Sequence, residues 1–441
     1  MSPELLTILM FVGVAVGIFL GFPVAFTLAG MGLIFGIIGY GSAGTFSLMG
    51  ARAYSVMTNY MYIAIPLFIF MGSMLQMSGI ADSAFEALKQ WMRNIKGGLG
   101  IATVVLCVIF GSCVGVVGAS VTTMALLTLP PMYESGYRKS LATGIVAAGG
   151  TLGILLPPSI MMVVMGPVAG VSIIKLFAGT IAPGLTLGLV FGLYVFIIVR
   201  VRKGLVPDVV KNKNEVLKYS IGQGLAAFIP LISLILLVLG AIFFGIASPT
   251  EAAAVGALGA IVIAAGYRKL NLKAMADSAM ITLRASTMVM FVILGANVFT
   301  AIFFVIGGTE TTAKFLSEFG LGANGTFAVV LLLVFLLGIF LDWVGVILIV
   351  VPVFMPILVE FGFHPLYVSL VMLVLLQTSF ITPPFAYTIF YIMGVAPPGT
   401  TITDLYKGVA PFIVLQLIVV GLCIASPDLL VAIPEAIVKI R

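Results

Sequence analysis

The chain has 441 residues, of which 62% are hydrophobic and 8% charged, with a net charge of +6. A water-soluble domain carries about 45–50% apolar and about 25% charged residues, so the composition excludes a soluble globular protein and points to a chain that crosses a bilayer many times. In a membrane protein a positive balance measures the Lys and Arg bias of the loops, which removes the usual reason to expect nucleic-acid binding.

The chain opens Met1-Ser2-Pro3-Glu4, with no basic n-region, and then runs apolar from 5 to 28. That is too long for the apolar core of a cleaved signal, so the segment is expected to remain as mature transmembrane structure. Gly21-Phe22-Pro23 divides it into helices at 5–20 and 23–40, and 59–77 supplies a third. Segment 81–91 mixes charge with apolar residues and is expected along the membrane interface or between domains. Basic islands follow at Lys89/Arg93/Lys96, Arg138/Lys139, 200–218 and Arg268/Lys269/Lys273, and the positive-inside rule places all of them in the cytoplasm. The other loops hold Glu310, Glu318, Glu360 and the lone His364, with Lys314 an isolated exception; they are expected outside.

Block 97–132 lies between two cytoplasmic islands, so it must cross an even number of times. Two full crossings need about 20 residues each plus a turn, more than this block offers. Its middle reads Gly111-Ser112-Cys113-Val114-Gly115-Val116-Val117-Gly118-Ala119-Ser120. A re-entrant helical hairpin with its tip near the midplane fits, because broken backbone is tolerated at that depth where protein or a water-filled cavity covers it. A helix at 141–165 follows, broken through Gly149-Gly150-Thr151-Leu152-Gly153 to Pro157-Pro158-Ser159, then a helix at 186–199, with the division between 166 and 183 left open. Helices at 220–244, 251–267 and 280–306 and an interfacial piece at 312–319 lead to a second hairpin block, 325–360, whose ends face outside. A second broken helix at 365–393, interrupted at Gln377-Thr378-Ser379-Phe380-Ile381-Thr382-Pro383-Pro384, and a helix at 411–424 complete the set.

Pro157 maps onto Pro383 by a shift of 226 residues, which also carries Pro130 onto Pro356 and the first hairpin tip onto Leu337–Val346, where Gly338 and Asp342 stand. Two copies of opposite orientation make an inverted repeat, a signature of secondary transporters whose sites lie near the midplane where broken helices meet. Glycine and proline are common in transmembrane helices, but chance would have to match spacing as well as composition. The predicted fold is an all-α polytopic membrane protein with an inverted repeat, two re-entrant helical hairpins and broken transmembrane helices. Its units are scaffold helices at 1–96, a first transport unit at 97–199, a cytoplasmic linker at 200–218, second scaffold helices at 219–324, a second transport unit at 325–427 and a tail at 428–441.

Asp342 is a lone carboxylate midway along the apolar run 327–359, a depth at which a charge costs at least ~2.5–3.5 kcal/mol. It reads either as a cation ligand or a residue that steadies the ion-binding loop, or as a helix cap at the hairpin tip facing a water-filled vestibule. Sodium prefers oxygen ligands. Unwound backbone at Gly111, Ser112, Gly149, Gly153 and Gly338 would offer carbonyls, and Ser112, Ser120, Thr151, Thr378, Ser379 and Thr382 add hydroxyls; for each hydroxyl the alternative is a bond to its own helix backbone. The facing helix N-termini suit a carboxylate. The sodium candidates are therefore Gly111, Ser112, Ser120, Gly149, Thr151, Gly153, Gly338, Asp342, Thr378 and Thr382, and the substrate candidates Ser120, Thr151, Pro157, Ser159, Asn297, Gln377 and Ser379. No cofactor is expected beyond sodium as coupling ion. Arg284 reads either as a ligand for a substrate carboxylate or, the favoured reading, as snorkelling to the cytoplasmic interface beside Asp277; Lys175 is expected at the interface, and Cys107, Cys113 and Cys423 are read as packing residues. With one histidine and no G-x-x-x-x-G-K-[ST] string, neither a catalytic triad nor a P-loop ATPase is expected.

At these residues the chain resembles the large membrane subunit of the tripartite ATP-independent periplasmic (TRAP) transporters, the DctM type. The resemblance runs through Gly21-Phe22-Pro23-Val24-Ala25, Ile65-Pro66-Leu67-Phe68-Ile69-Phe70-Met71-Gly72, 149–160, Leu176-Phe177-Ala178-Gly179, Thr382-Pro383-Pro384 and, most specifically, Ala247-Ser248-Pro249-Thr250-Glu251-Ala252-Ala253-Ala254. The first hairpin has less serine than the commonest family pattern. It resembles a branch associated with 2-oxo, hydroxy and aromatic acids rather than sialic acid or simple C4-dicarboxylates. The resemblance implies sodium coupling with ions at both hairpin tips, an elevator movement, a place in the bacterial inner membrane, a small four-helix DctQ-type membrane subunit and a periplasmic DctP-type binding protein delivering an organic acid. With no helix before Leu5, the small subunit is expected as a separate chain. The competing readings are a stand-alone sodium–anion symporter of the same architecture, an intramembrane enzyme, and a passive channel.

Overall fold

The computed structural model describes residues 1–207, 221–318, 320–384 and 386–440. Part of the expected linker, 208–218, and Arg441 of the tail lie outside the described residues. Every regular element among the described residues is helical. The first half comprises α1 (Pro3–Phe19), α2 (Val24–Tyr40), α3 (Ser42–Met57), a single turn at Tyr60–Ile63, α4 (Ala64–Met77), α5 (Ile80–Trp91), α6 (Gly98–Val114), α7 (Val117–Glu134), α8 (Lys139–Leu155), α9 (Ile160–Ala169) and α10 (Ile173–Val201). The second comprises α11 (Ile221–Phe243), α12 (Pro249–Gly266), α13 (Leu272–Val305), α14 (Gly308–Glu318), α15 (Gly322–Phe340), α16 (Trp343–Glu360), α17 (Pro365–Ser379), α18 (Tyr387–Met393) and α19 (Ile402–Ala425), with α20 (Pro427–Ile440) after them.

Several elements differ from expectation: α13 starts at Leu272 rather than 280 and α19 at Ile402 rather than 411, because their first turns mix charged and polar residues with apolar ones, and α20 occupies the expected tail. Helix α3 is absent from the sequence reading, because Gly44, Thr45, Ser47, Gly50 and Arg52 give it low hydropathy. The open division at 166–183 falls early: α9 stops at left-handed Gly170 (φ 65°), and α10 runs unbroken through Pro183.

The two blocks at 97–132 and 325–360 are hairpins whose ends return to their origin. Beyond α7, the Tyr137 hydroxyl accepts a hydrogen bond from Gly100 N at 3.3 Å, near the start of α6. Beyond α16, Phe363 stacks on Phe327 near the start of α15, ring centroids 4.7 Å apart. A straight helix joining either pair would hold its ends about 50 Å apart. The chain reverses at Gly115, whose left-handed backbone (φ 63°) closes α6 onto Gly111 O, and at Leu341-Asp342, both extended. Eight described helices are long and apolar enough to cross a membrane, but two of these, α15 and α16, are the arms of the second hairpin. The helix pair α8–α9 bends by 47° at its break. There Leu156 is extended, as a residue before proline prefers. Both double-proline bonds, Pro157-Pro158 and Pro383-Pro384, are cis.

The 226-residue shift extends through the whole chain, carrying α2 onto α12, α5 onto α14, α7 onto α16, α8 onto α17 and α10 onto α19. The first copy builds α3, the Tyr60 turn and α4 where the second builds the single long α13. Contacts follow the same exchange: α2 packs on α13 as α4 packs on α12, and α9 packs on α16 as α18 packs on α7. Thr151 and Gln377 are equivalents under the shift and touch each other, Gln377 Nε2 to Thr151 Oγ1 at 3.4 Å. An equivalent pair in contact lies on the two-fold axis relating the copies. Between the starts of α6 and α15 the chain crosses with α8–α9, α10, α11, α12 and α13, an odd number of times, so the copies are inverted.

The basic islands share one side. Arg138 N donates to Leu205 O at 2.9 Å, tying the first hairpin's base to the end of α10, and Gly79 at the end of α4 approaches Lys269. The start of α12 is at the other side, where the Thr250 hydroxyl donates to Tyr60 O at 3.4 Å. The islands mark the cytoplasmic side, and the Tyr60 turn is outside.

Candidate functional site

Four helices end, and four begin, around the middle of the molecule. The last four carbonyls of a helix lack intrahelical partners and its C-terminus carries roughly half a negative charge; the N-terminus presents free N–H groups and the opposite charge. Helices α6, α8, α15 and α17 bring C-termini to the hairpin tips and breaks; α7, α9, α16 and α18 bring N-termini.

The C-terminal ends are pressed together. A Cβ added to Gly111 would sit 2.7 Å from Gly153 Cα, so the first hairpin and the α8 break meet backbone to backbone with the Ser120 hydroxyl beside them. In the second copy Gly338 lies against the Ser379 hydroxyl and Leu376. Several buried polar atoms here have no hydrogen-bond partner among the described residues: Ser120 Oγ, Thr378 Oγ1, Ser379 Oγ and Gln377 Oε1. Leaving one such group buried and unsatisfied costs about 1–3 kcal/mol.

The other candidate hydroxyls are committed. Ser112 donates to Val108 O at 2.7 Å, Thr151 to Ala148 O at 2.8 Å and Thr382 to Thr378 O at 2.7 Å. Ser159 donates to Ile154 O and accepts from Met161 N at 3.3 Å, capping α9. The unwinding expected at Gly111, Ser112, Gly149, Gly153 and Gly338 is not found: all five lie within the last turns of α6, α8 and α15, the chain breaking only beyond them, and Gly149 faces Cys107 Sγ in close packing. All three cysteines are free and buried, and no described group of three His, Cys, Asp or Glu side chains could hold a metal.

A cavity of about 680 Å³ lies against the N-terminal ends. Both hairpin tips line it, through 115–118 and through Phe340, Asp342, Trp343 and Gly345, as do Ile160 of α9 and Tyr387 and Tyr391 of α18. Its far wall is the α1–α2 turn and the middle of α13 from Ala285 to Val292; the turn is the inverted counterpart of the α11–α12 connection beside Tyr60 on the outer side, so the cavity lies towards the basic side. Among the described residues Asp342 is the only carboxylate in the lining. It occupies the N-cap position of α16, its carboxylate turned to the backbone N–H groups of Trp343 and Val344, whereas α7 and α18 begin without side-chain caps. Gly118 is required by a close approach: a Cβ there would lie 2.9 Å from the Tyr391 ring.

The substrate candidates are not gathered here. Ser120, Thr151, Pro157, Ser159, Gln377 and Ser379 are buried in the packing behind the tips, and none lines the cavity. Asn297 does line a cavity, a separate one of about 270 Å³ on the outer side. Arg284 is exposed and lines neither. Trp343, Tyr387 and Tyr391 were missed, because an aromatic residue in an apolar helix reads equally well as lipid-facing or core.

The whole arrangement has known counterparts. Residues 11–429 match the model of the tripartite ATP-independent periplasmic transporter DctM component. The chain is 31% identical over 394 residues to the C4-dicarboxylate TRAP transporter large permease protein DctM of Pseudomonas aeruginosa, covering 88% of this chain and 89% of that one. It is 31% identical over 402 residues to the isethionate TRAP transporter permease protein DctMQ of Oleidesulfovibrio alaskensis, covering 90% of this chain and 62% of that one. Among solved structures, the YdaH transporter of Alcanivorax borkumensis superposes with a TM-score of 0.64 over 97% of this chain and 98% of that one at 14% identity, a likeness of fold.

Proposed function

The chain belongs to the DctM component family of tripartite ATP-independent periplasmic transporters, a multi-pass inner-membrane permease and not an enzyme, and from that premise we propose that it couples inward sodium movement to import of a small organic acid. The observation that carries the reading is the segregation of helix ends: C-termini with unpartnered buried oxygens behind the tips, and in front of them the N-termini of α7 and α18 without side-chain caps. The first surface suits a cation and the second an anion. Sodium would be held by carbonyl and hydroxyl oxygens around Gly111, Ser120 and Gly153 in one copy and Gly338, Thr378 and Ser379 in the other. Asp342 adds a formal negative charge at the second tip.

The acid would rest in the cavity with its carboxylate towards the N–H groups opening α7 and α18, away from Asp342 at the start of α16, and its carbon skeleton against Trp343, Tyr387 and Tyr391. The relatives' names, for a C4-dicarboxylate and for isethionate, agree with a small organic anion; a 2-oxo or hydroxy acid remains the class favoured by the first hairpin. Movement of α6–α9 and α15–α18 as an elevator against a scaffold of α1–α4 and α11–α13 would carry ion and acid together. A small four-helix subunit and a periplasmic binding protein are the proposed partners, delivering the acid on the outer side.

The test is uptake into proteoliposomes from a panel of organic acids, with and without a sodium gradient and with and without the two partners. Sodium-dependent uptake requiring the binding protein supports the reading. Uptake by this chain alone would support a stand-alone symporter, and uptake indifferent to sodium a channel.

A further inference from the structure

The outer pocket has no part in the reading above. It is about 270 Å³ in volume, and its polar lining is Arg52, Ser55, Asn59, Tyr62, Asn297 and Thr300. One wall is scaffold (α3, the Tyr60 turn, α13) and the other is the end of α9 together with α16 of the second hairpin. Thr300 Oγ1 reaches Leu348 O across the gap at 3.5 Å.

Three observations give the pocket a sign. Arg52 is its only charged residue, is exposed, and has no ion pair or hydrogen bond among the described residues. It stands on the outer side, where Lys and Arg are disfavoured, so topology does not account for it. The inverted copy supplies an internal control. Under the 226-residue shift Arg52, Asn59, Tyr62, Asn297 and Thr300 become Ser278, Ala285, Met288, Met71 and Met74. Ala285 and Met288 form part of the inner cavity's scaffold wall. The same architecture is therefore built on the cytoplasmic side from small and apolar residues, and the fold does not require the polar set.

We propose that this outer pocket is an anion-receiving site, in which Arg52 engages the carboxylate or sulfonate of the incoming acid before the acid reaches the central cavity. Guanidinium presents paired N–H donors that match a carboxylate's two oxygens. Asn59 Oδ1 accepts from Met61 N at 3.0 Å, leaving its amide N–H groups for the anion. Asn297 Nδ2 donates to Ile293 O at 2.9 Å and leaves its carbonyl for a hydroxyl on the acid. Because the walls belong to both units, an occupant touches both sides of the interface that must slide. The assignment rests on the organic-acid import reading, which it deepens.

The test uses the full transporter with its two partner proteins, in Arg52→Gln and Arg52→Lys forms, with succinate, pyruvate, lactate and isethionate as probes. Arg52→Gln is expected to raise the half-saturating concentration of binding protein loaded with whichever of these is transported by about tenfold. Maximal rate and sodium dependence should stay within about twofold, and Arg52→Lys should recover part of the loss. A second arm is independent of transport. Ser55→Cys, whose site is exposed in the same pocket, is labelled from outside by a membrane-impermeant anionic thiosulfonate and by its cationic analogue. The three native cysteines are buried and contribute little background. Adding Arg52→Gln should lower the anionic-to-cationic rate ratio about tenfold. If that ratio is unchanged, or if the half-saturating concentration stays at the wild-type value while sodium-driven uptake proceeds, the pocket assignment is overturned. It is equally overturned if Arg52→Gln acts only by weakening attachment of the binding protein. Absence of sodium-driven uptake in the wild type, with the labelling ratio responding as expected, would instead count against the import reading.

Discussion

Ser120 holds a hydroxyl with no described partner against the backbone contact of Gly111 and Gly153. If a cation satisfies it, Ser120→Ala should have opposite effects in the two conditions. In sodium-free detergent the variant should be as stable as wild type or more so, by about 1 kcal/mol, since an unsatisfied buried group has gone. The rise in thermal unfolding midpoint on adding sodium should shrink. A variant that is less stable without sodium yet responds fully to it would remove Ser120 from the ion site. Asp342→Asn keeps the shape of the second tip and removes its charge. Sodium-driven uptake is expected to fall at least about tenfold with membrane insertion intact, the charge being the only one lining the cavity among the described residues and such interactions contributing over a kcal/mol in a low-dielectric site. Wild-type uptake at unchanged sodium dependence would contradict it. Asp342 was legible in the sequence because a carboxylate in an apolar run stands out. Which hydroxyls are spoken for was not, since the i−4 bonds of Ser112 and Thr382 depend on rotamer, and Arg52 was hidden in a helix too polar to recognise as part of the bundle.

At the scale of elements, the hairpins meet the breaks through glycine. Gly111→Ala would bring a Cβ to 2.7 Å from Gly153 Cα, backbone that cannot swing aside, and should destabilise by about 1–3 kcal/mol. Gly192→Ala in α10 is the matched control. No atom lies within 4 Å of its added Cβ, and removing a helical glycine should stabilise by up to about 1 kcal/mol. Thermal unfolding of the two purified variants decides; equal effects would mean that the tip and the break are not in contact. Both hairpins and both breaks were legible, because glycine and double proline interrupt long apolar runs and parity of the basic islands fixes where each run must end. The start of α10 was not, since Pro183 reads as a break although the helix passes through it. Length and hydropathy also misjudge α15 and α16, each long enough to cross while the Phe327–Phe363 stack brings them back to one face.

For the whole molecule, the repeat was visible where it carries glycine and proline, at tips and breaks. It was invisible in the scaffold, where one copy has Asn59 and Tyr62 and the other Ala285 and Met288. The larger cavity lies towards the basic side and the smaller outside, which is the arrangement of an inward-facing transporter. A cysteine placed at Met288, exposed in the inner cavity, should be labelled by an impermeant thiol reagent from the cytoplasmic side and not from outside. Labelling from outside alone would reverse the orientation. The identity of the acid depends on the fit of a few cavity side chains that share no motif, which is why composition and spacing stop at its charge.

Binding of radioactive sodium to the purified chain, wild type beside Asp342→Asn and Ser120→Ala, tests the central claim with no substrate or partner required. Saturable binding in the wild type that weakens or disappears in the two variants is the predicted result. No saturable binding, or binding that both variants retain at full affinity, would contradict the assignment of the hairpin tips as the place where the driving ion is held.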